Sequence, residues 1–268
     1  MTDTSDITLE PIGGGITAPD GFRAAGVACG IKKTDAPDLA LVVADNLATA
    51  AGMFTTNKAV AAPVTVSRDH LAASAGRVAA IVVNSGCANA CTGPAGLAVA
   101  RSTADFVAST IGCSPEHVLV ASTGVIGVQL DAGKVRRGLA TAARSLSRTN
   151  HLEAAQAIMT TDTAPKEAAV RVTTPAGVFR VGGMAKGAGM IEPNMATMLG
   201  FITTDAMVHP PLLHRALAEV VAETFNAITI DGDTSTNDAV ILLAGGASQV
   251  PVEEDLYPAL VAGLRAVC

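Results

Sequence analysis

The stretch MAKGAGMIEPNMATMLGFITTDA, residues 184–206, brings Lys186 and a run of small residues up to Thr197, which opens the apolar run Met198-Leu199-Gly200-Phe201-Ile202. A threonine so placed has a definite chemistry open to it. Its hydroxyl can attack the carbonyl of Ala196, shift the peptide to an ester and let water split the chain, leaving Thr197 as a new N-terminus. The freed α-amino group, with an unperturbed pKa of ~7.7 to 8.0, then acts as base towards its own hydroxyl. Gly187 and Gly189 permit the close backbone approach and strained turn that such a cleavage requires, and Lys186 supplies positive charge for a substrate carboxylate. On spacing alone, an ordinary β-branched strand residue is the plainer account of Thr197.

Three other constellations carry candidate chemistry. In ASTGVIG, residues 121–127, Thr123 and Gly124 follow an apolar run and can turn a hydroxyl and a backbone N–H towards one point, the geometry of an oxyanion hole, although a strand ending in S-T-G is more often only a turn. In NSGCANACTGPAG, residues 84–96, Cys87 is a candidate nucleophile with no histidine near it in sequence, so a buried small hydrophobe describes it better. In ITIDGDTSTND, residues 228–238, the acids Asp231 and Asp233 suggest a calcium loop, but the sixth position is Thr236 where that loop requires glycine. A phosphatase-type nucleophile loop is the other reading of D-x-D-T, and a polar turn satisfying local backbone groups is preferred to both. The five histidines form no H-x-H or H-E-x-x-H pair, so no metal is expected.

Elements that position these residues are visible as short β-branched runs alternating with Ala-rich stretches, an α/β or α+β pattern. Leu39–Ala44, Val78–Val83 and Val118–Ala121 read as buried strands. Val170–Thr173 and Val178–Val181 read as a hairpin turning through Thr174, Pro175, Ala176 and Gly177. Gly96–Ile111 reads as a helix, and so does Pro210–Phe225, whose leading prolines and apolar residues Leu213, Leu217, Val220, Val221 and Phe225 keep helical spacing. The apolar stretch Leu256–Cys268 is a third. It stops without a cap or polar tail, from which a chain cut short is expected.

Composition narrows the classes. With 18 basic against 24 acidic residues, no tryptophan and a single tyrosine, the chain has neither the basic stripe nor the stacking platforms of a nucleic-acid binder. Five cysteines without C-x-x-C spacing argue against a zinc ribbon or disulfide framework and for a reducing compartment. The acidic, turn-rich start is unlike a signal peptide, and no segment has the ~20 apolar residues of a membrane span, so a cytoplasmic location is expected.

The segments GGGITAPDGFRAAGVACGIKK, NSGCANACTGPAG, ASTGVIG, AIMTTDTAPKEA, GGMAKGAGMIEPNMATMLGFITTDA and IDGDTSTNDAVILLAGGAS occur in that order, and together they closely resemble the ornithine acetyltransferase, or glutamate N-acetyltransferase, family of arginine biosynthesis. The resemblance implies a layered sandwich of β-sheets flanked by helices, shared with related self-cleaving aminopeptidases. It implies self-cleavage at Ala196-Thr197 into an α-chain region, 1–196, and the first part of a β-chain region, 197–268, with the chains held in an α2β2 heterotetramer. Thr197 would carry acetyl from N-acetylornithine to glutamate without a cofactor, and acetyl-coenzyme A serves as donor in bifunctional members. Thr123 and Gly124 match the oxyanion positions. Lys186, Thr197 and either Thr160 or Thr161 match substrate-contacting positions, and Asp231 and Asp233 lose the phosphatase reading. The family continues past residue 268 with further site residues, so an incomplete, inactive member is one alternative expectation and a related aminopeptidase the other.

Overall fold

The computed structural model describes residues 7–189, 198–228 and 234–268. In chain order its strands and helices are β1 Thr8–Pro11, β2 Phe22–Val27, β3 Leu39–Phe54, α1 Ala62–Ala73, β4 Arg77–Cys87, α2 Gly93–Ile111, β5 Val118–Val125, α3 Ala132–Arg144, α4 His151–Ile158, β6 Lys166–Thr174, β7 Gly177–Lys186, β8 Leu199–Thr204, β9 Met207–Val208, α5 Pro210–Glu223, β10 Ala239–Ala244, β11 Pro251–Val252 and α6 Tyr257–Val267. Among the described residues nine strands form one sheet in the order β1-β6-β7-β8-β10-β3-β4-β5, with β2 beside β3, and β9 and β11 form a small separate pair.

The long strand β3 is the spine. Its first half pairs with β2 and β4 on opposite edges, its register shifts between Val43 and Ala48, and its second half pairs with β10. The sequence suggests a strand ending at Ala44. The polar Asp45-Asn46-Leu47 interruption is that bulge, after which the strand resumes. In the large sheet two parallel pairs, β4 with β5 and β8 with β10, each need a crossover, supplied by α2 and α5.

Most strands are buried on both faces, and side-chain alternation divides them between cores. Ala40, Val42, Ile81, Val83, Leu119, Ala121, Phe201, Ile241 and Leu243 meet in one inner core with Ala154, Ala155, Ala157 and Ile158 of α4. Their neighbours Leu41, Val43, Val82 and Val120 face α1, α2 and α3. Ile202 and Leu242 face α5 and α6. Residues from both arms of the sheet thus share the inner core while helices cover the outside, which is the layered α/β sandwich expected.

The expected strands and the helix expected from Gly96 recur with longer ends, whereas the helices expected over Pro210–Phe225 and Leu256–Cys268 are shorter, Pro210–Glu223 and Tyr257–Val267, with Phe225 in a 3-10 turn of its own. The hairpin closes more tightly than its four-residue loop suggested, because the strands run through Thr174 and Gly177, with Gly177 at φ +136° and the Thr174 hydroxyl donating to the Gly177 carbonyl at 2.8 Å. The helix expected from Gly96 begins at Gly93, with Pro94 in its first turn, and ends on left-handed Gly112. The strand β2 and the short helix α4 are not evident from pattern, since FRAAGV carries few β-branched residues and α4 has only eight residues. Among the described residues no helix is long and apolar enough to cross a membrane.

α4 lies directly on β2: a Cβ built at Gly26 would sit 1.9 Å from the Glu153 carbonyl oxygen and 2.8 Å from the Ala154 nitrogen. Gly26→Ala is therefore expected to lower stability by about 1–3 kcal/mol through overpacking, measured by urea unfolding. An unchanged midpoint would refute the close helix-on-strand contact.

Candidate functional site

A cavity of about 600 Å³ opens where the carboxyl ends of β4, β5 and β7 meet the segment leading into β10, and it is lined by Lys32, Gly86, Thr123, Gly124, Thr160, Thr161, Lys186, Gly189 and Asn237, among others. That volume suits a small metabolite. Five residues singled out in the sequence, Thr123, Gly124, Thr160, Thr161 and Lys186, thus share one cavity although as many as 63 positions separate Thr123 from Lys186. Ala196, Thr197, Asp231 and Asp233 lie outside the described residues.

At the centre, Lys186 Nζ donates to Thr123 Oγ1 at 3.1 Å, and Lys186 is only 3% exposed. Burial lowers the Lys186 pKa from its usual value of 10.5, while the Asp162 and Asp238 carboxylates act in the opposite sense. Having accepted from an ammonium, the Thr123 hydroxyl keeps its own proton to donate. Gly124 follows at φ +131°, and a Cβ there would lie 2.4 Å from the Gly86 carbonyl carbon and 2.6 Å from the Cys87 nitrogen, so only glycine lets β5 end this close to β4.

Asp162, absent from the residues picked out by motif, joins two of the cavity's segments. Its Oδ1 accepts from Gly187 N–H at 2.8 Å and from Lys166 Nζ, and its Oδ2 accepts from Thr160 N–H at 3.2 Å. Burial alone would raise this carboxyl, but those hydrogen bonds outweigh it and hold it below the usual 3.8. The TTD loop is thereby tied to the Lys186-Gly187 approach. Thr160 is half-buried and Thr161 exposed.

The segment 234–238 closes another wall. Asn237 Nδ2 donates to the Ala88 carbonyl at 2.6 Å and to the Ser122 carbonyl at 2.9 Å, and the Thr55 hydroxyl donates to the Ser235 carbonyl at 2.6 Å. The Asn237 side chain satisfies backbone groups distant in sequence, rather than the local ones expected of a polar turn. The next residue, buried Asp238, accepts the N–H of Met198 at 2.8 Å, so the residue bonded to Thr197 is fixed against this wall. Cys87 does not line the cavity. Its Sγ donates to the Val128 carbonyl at 3.3 Å and burial pushes its thiol pKa up, the state of a packed thiol rather than a nucleophile.

Asn237 and Lys32 also went unseen in the sequence. The only signal for Asn237 was its place in a polar turn, and for Lys32 its place beside another lysine. Among the described residues no group of three or more His, Cys, Asp or Glu side chains is placed to hold a metal ion.

Known proteins similar to this chain give its family. The ArgJ family model matches residues 23–268. The chain is 52% identical over 242 residues to the arginine biosynthesis bifunctional protein ArgJ of Thermosynechococcus vestitus, covering 90% of this chain and 58% of that protein. Against its counterpart in Nitratidesulfovibrio vulgaris the figures are 52% identity over 241 residues, 89% and 61%. The chain thus spans about three fifths of the length of these curated relatives. Among solved structures it is similar to the ornithine acetyltransferase of Mycobacterium tuberculosis complexed with ornithine, with TM-score 0.64 and 43% identity over 69% of this chain and 98% of that one. An L-aminopeptidase D-Ala-esterase/amidase of Ochrobactrum anthropi, described as a variant of the Ntn-hydrolase fold, shares the fold alone, at 13% identity and TM-score 0.57 over 95% of this chain and 84% of that one.

Two substitutions probe the site. Gly124→Ala should cost about 2–3 kcal/mol through backbone strain and collision with β4, whereas Gly127→Ala, at φ +81° with open space around it, should lose less. Similar losses at both positions would refute the contact. The lowered Lys186 pKa means that between its folded value and 10.5 the unfolded chain binds more protons, so this group makes stability rise with pH across that window. In Lys186→Met the rise should be shallower, measured by urea unfolding from neutral pH to just above 10, and parallel profiles would contradict a desolvated ammonium.

Proposed function

Since the chain belongs to the ArgJ family, we propose that it carries the acetyl-transferring site of an arginine-biosynthetic enzyme, with Thr197 as nucleophile after cleavage at Ala196-Thr197. The observation that carries this reading is the buried Lys186–Thr123 contact in one cavity, with the N–H of Met198, the residue after Thr197, fixed by Asp238.

The roles follow from the chemistry of each group. Thr197 Oγ attacks the Ala196 carbonyl, the acyl group moves from nitrogen to oxygen and so frees the Thr197 amine, and hydrolysis of the ester then frees the Thr197 hydroxyl and leaves Ala196 as a carboxylate. That amine takes the hydroxyl proton as Oγ attacks the acetyl group of N-acetylornithine. Ornithine leaves with the proton, the acetyl stays on Thr197, and the glutamate amine then removes it. In both halves negative charge gathers on the acetyl oxygen, and Thr123, whose hydroxyl is polarised by Lys186, and Gly124 are the donors assigned to it. Lys186 and Thr160 or Thr161 hold the substrate. The cycle calls on no cofactor, acetyl-coenzyme A is the alternative acetyl donor, and the cytoplasm is the compartment assigned to it.

Two facts support cleavage with retained assembly. The strands β8 and β10, which follow residue 197, lie between β7 and β3 in the sheet, so severed pieces would stay joined by its hydrogen bonds. The solved chain matched from Mycobacterium tuberculosis is shorter than this one, while the curated relatives are longer, the relation expected where a precursor is split. An α2β2 assembly is the corresponding oligomer.

Intact-mass analysis under denaturing conditions should find two fragments, residues 1–196 and 197–268, that co-elute under native conditions, and Thr197→Ala should give one uncut chain. Acetyl exchange between N-acetylornithine and glutamate should accompany cleavage and vanish in that variant. A wild-type chain that stays whole after long incubation overturns the reading, and release of amino acids from short peptides without an acetyl acceptor would favour the aminopeptidase alternative.

A further inference from the structure

Lys32 is half-buried on the wall of the same cavity, and among the described lining residues it and Lys186 are the only ionisable side chains. In a chain of net charge -6, the cavity is thus lined by positive charge alone among its described residues. Lys32 is held in place rather than loosely displayed. Asp38, fully buried, accepts N–H groups of Cys29 at 2.7 Å, Ile31 at 2.6 Å and Lys32 at 3.0 Å, fixing the loop around it. The Lys32 stem lies over Gly86, where a Cβ would come within 3.1 Å of Lys32 Cγ, and Gly86 itself touches Gly124.

The ammonium has capacity to spare. Its Nζ donates to the Pro37 carbonyl at 2.6 Å, leaving two of its three donors. Burial lowers its pKa, and the two carboxylates that act in the opposite sense, Asp38 and Asp162, are engaged elsewhere, Asp38 with three backbone N–H groups and Asp162 with Lys166, Gly187 and Thr160. Among the described residues no carboxylate forms an ion pair with either Lys32 or Lys186. A partly desolvated cation without a direct counter-charge gains more from an incoming anion than an exposed one does.

Resting on the transferase reading above, we propose that Lys32 is a specificity-determining residue that binds the second carboxylate of a dicarboxylic amino acid while Lys186 takes the first. Two ammonium groups on one cavity match an acidic acceptor such as glutamate. A side chain that ends in an ammonium, as in N-acetylornithine and ornithine, gains nothing from Lys32 and must lie away from it, so the contribution of Lys32 is confined to the acidic acceptor. Lys32 would thus separate the two amino acids that the site handles in turn.

Calorimetric titration of the 268-residue chain with L-glutamate, L-glutamine and L-ornithine tests this without turnover, since no acetyl donor is present. Glutamate should bind about tenfold more tightly than glutamine, the effect of one charge-assisted hydrogen bond. Lys32→Met should reduce that preference to near unity and narrow the gap to ornithine, and Lys32→Arg should keep most of it. Lys32→Gln, which can still donate to Pro37, carries the test if Lys32→Met loses its circular-dichroism signature. No preference in the wild type, or a preference that survives loss of the Lys32 charge, overturns the proposal. Binding with the expected preference but without acetyl exchange would instead count against the transferase reading and leave the role of Lys32 standing.

Discussion

The hydrogen bond from Lys186 to Thr123 is the constraint from which the architecture follows. β7 and β5 lie five places apart in the sheet order, and at strand spacings of 4.7–4.9 Å a flat sheet would hold them about 24 Å apart. Yet side chains from their ends meet, Lys186 Nζ lying 3.1 Å from Thr123 Oγ1. The sheet must therefore fold over on itself, which turns one continuous ladder into two facing layers and encloses the core shared by Phe22, Val42, Ile81, Leu119, Phe201 and Ile241. It also buries an ammonium, whose desolvation the carboxylates of Asp162 and Asp238 partly offset.

Small residues make that folding possible. Gly124 and Gly86 permit two strand ends to touch backbone to backbone, and Gly26 lets α4 rest on β2. The inner core is filled with Ala154, Ala155, Ala157 and Ala24 as well as with larger side chains, so the Ala-rich composition and scarcity of aromatics reflect layers drawn close together. Bulk that would fill an ordinary sandwich has no room at these contacts.

Polar groups then fix the cavity walls. Asn237 clamps the ends of β4 and β5 to the approach of β10, Asp162 clamps the TTD loop to Gly187, and Asp38 clamps the loop that carries Lys32. Each is a buried or half-buried side chain that binds backbone groups of the segments it joins. Such groups are costly to leave unsatisfied, so each clamp is specific and resists relaxation. Residues drawn from six separate segments thereby hold one shape.

Much of the outline was legible in sequence. Short β-branched runs bounded by turn residues marked β4, β5 and the β6–β7 hairpin, and Ala-rich or helically spaced apolar stretches marked α2, α5 and α6, because these signals are local to each stretch of chain. Motif order pointed to the family and to Thr123, Gly124, Thr160, Thr161 and Lys186. β2, α4 and the second half of β3 were not legible, since alanine and glycine carry little propensity signal and a bulge breaks the pattern without ending the strand. Nor were Lys32, Asp162 and Asn237, whose importance lies in partners up to 149 positions away. Sequence by itself determined most of the strands and helices and the motif residues that can do chemistry, because those depend on side-chain type and local spacing. Only the tertiary structure decided that the sheet closes on itself and that two lysines face one cavity, because both rest on contacts between segments that chain order leaves far apart.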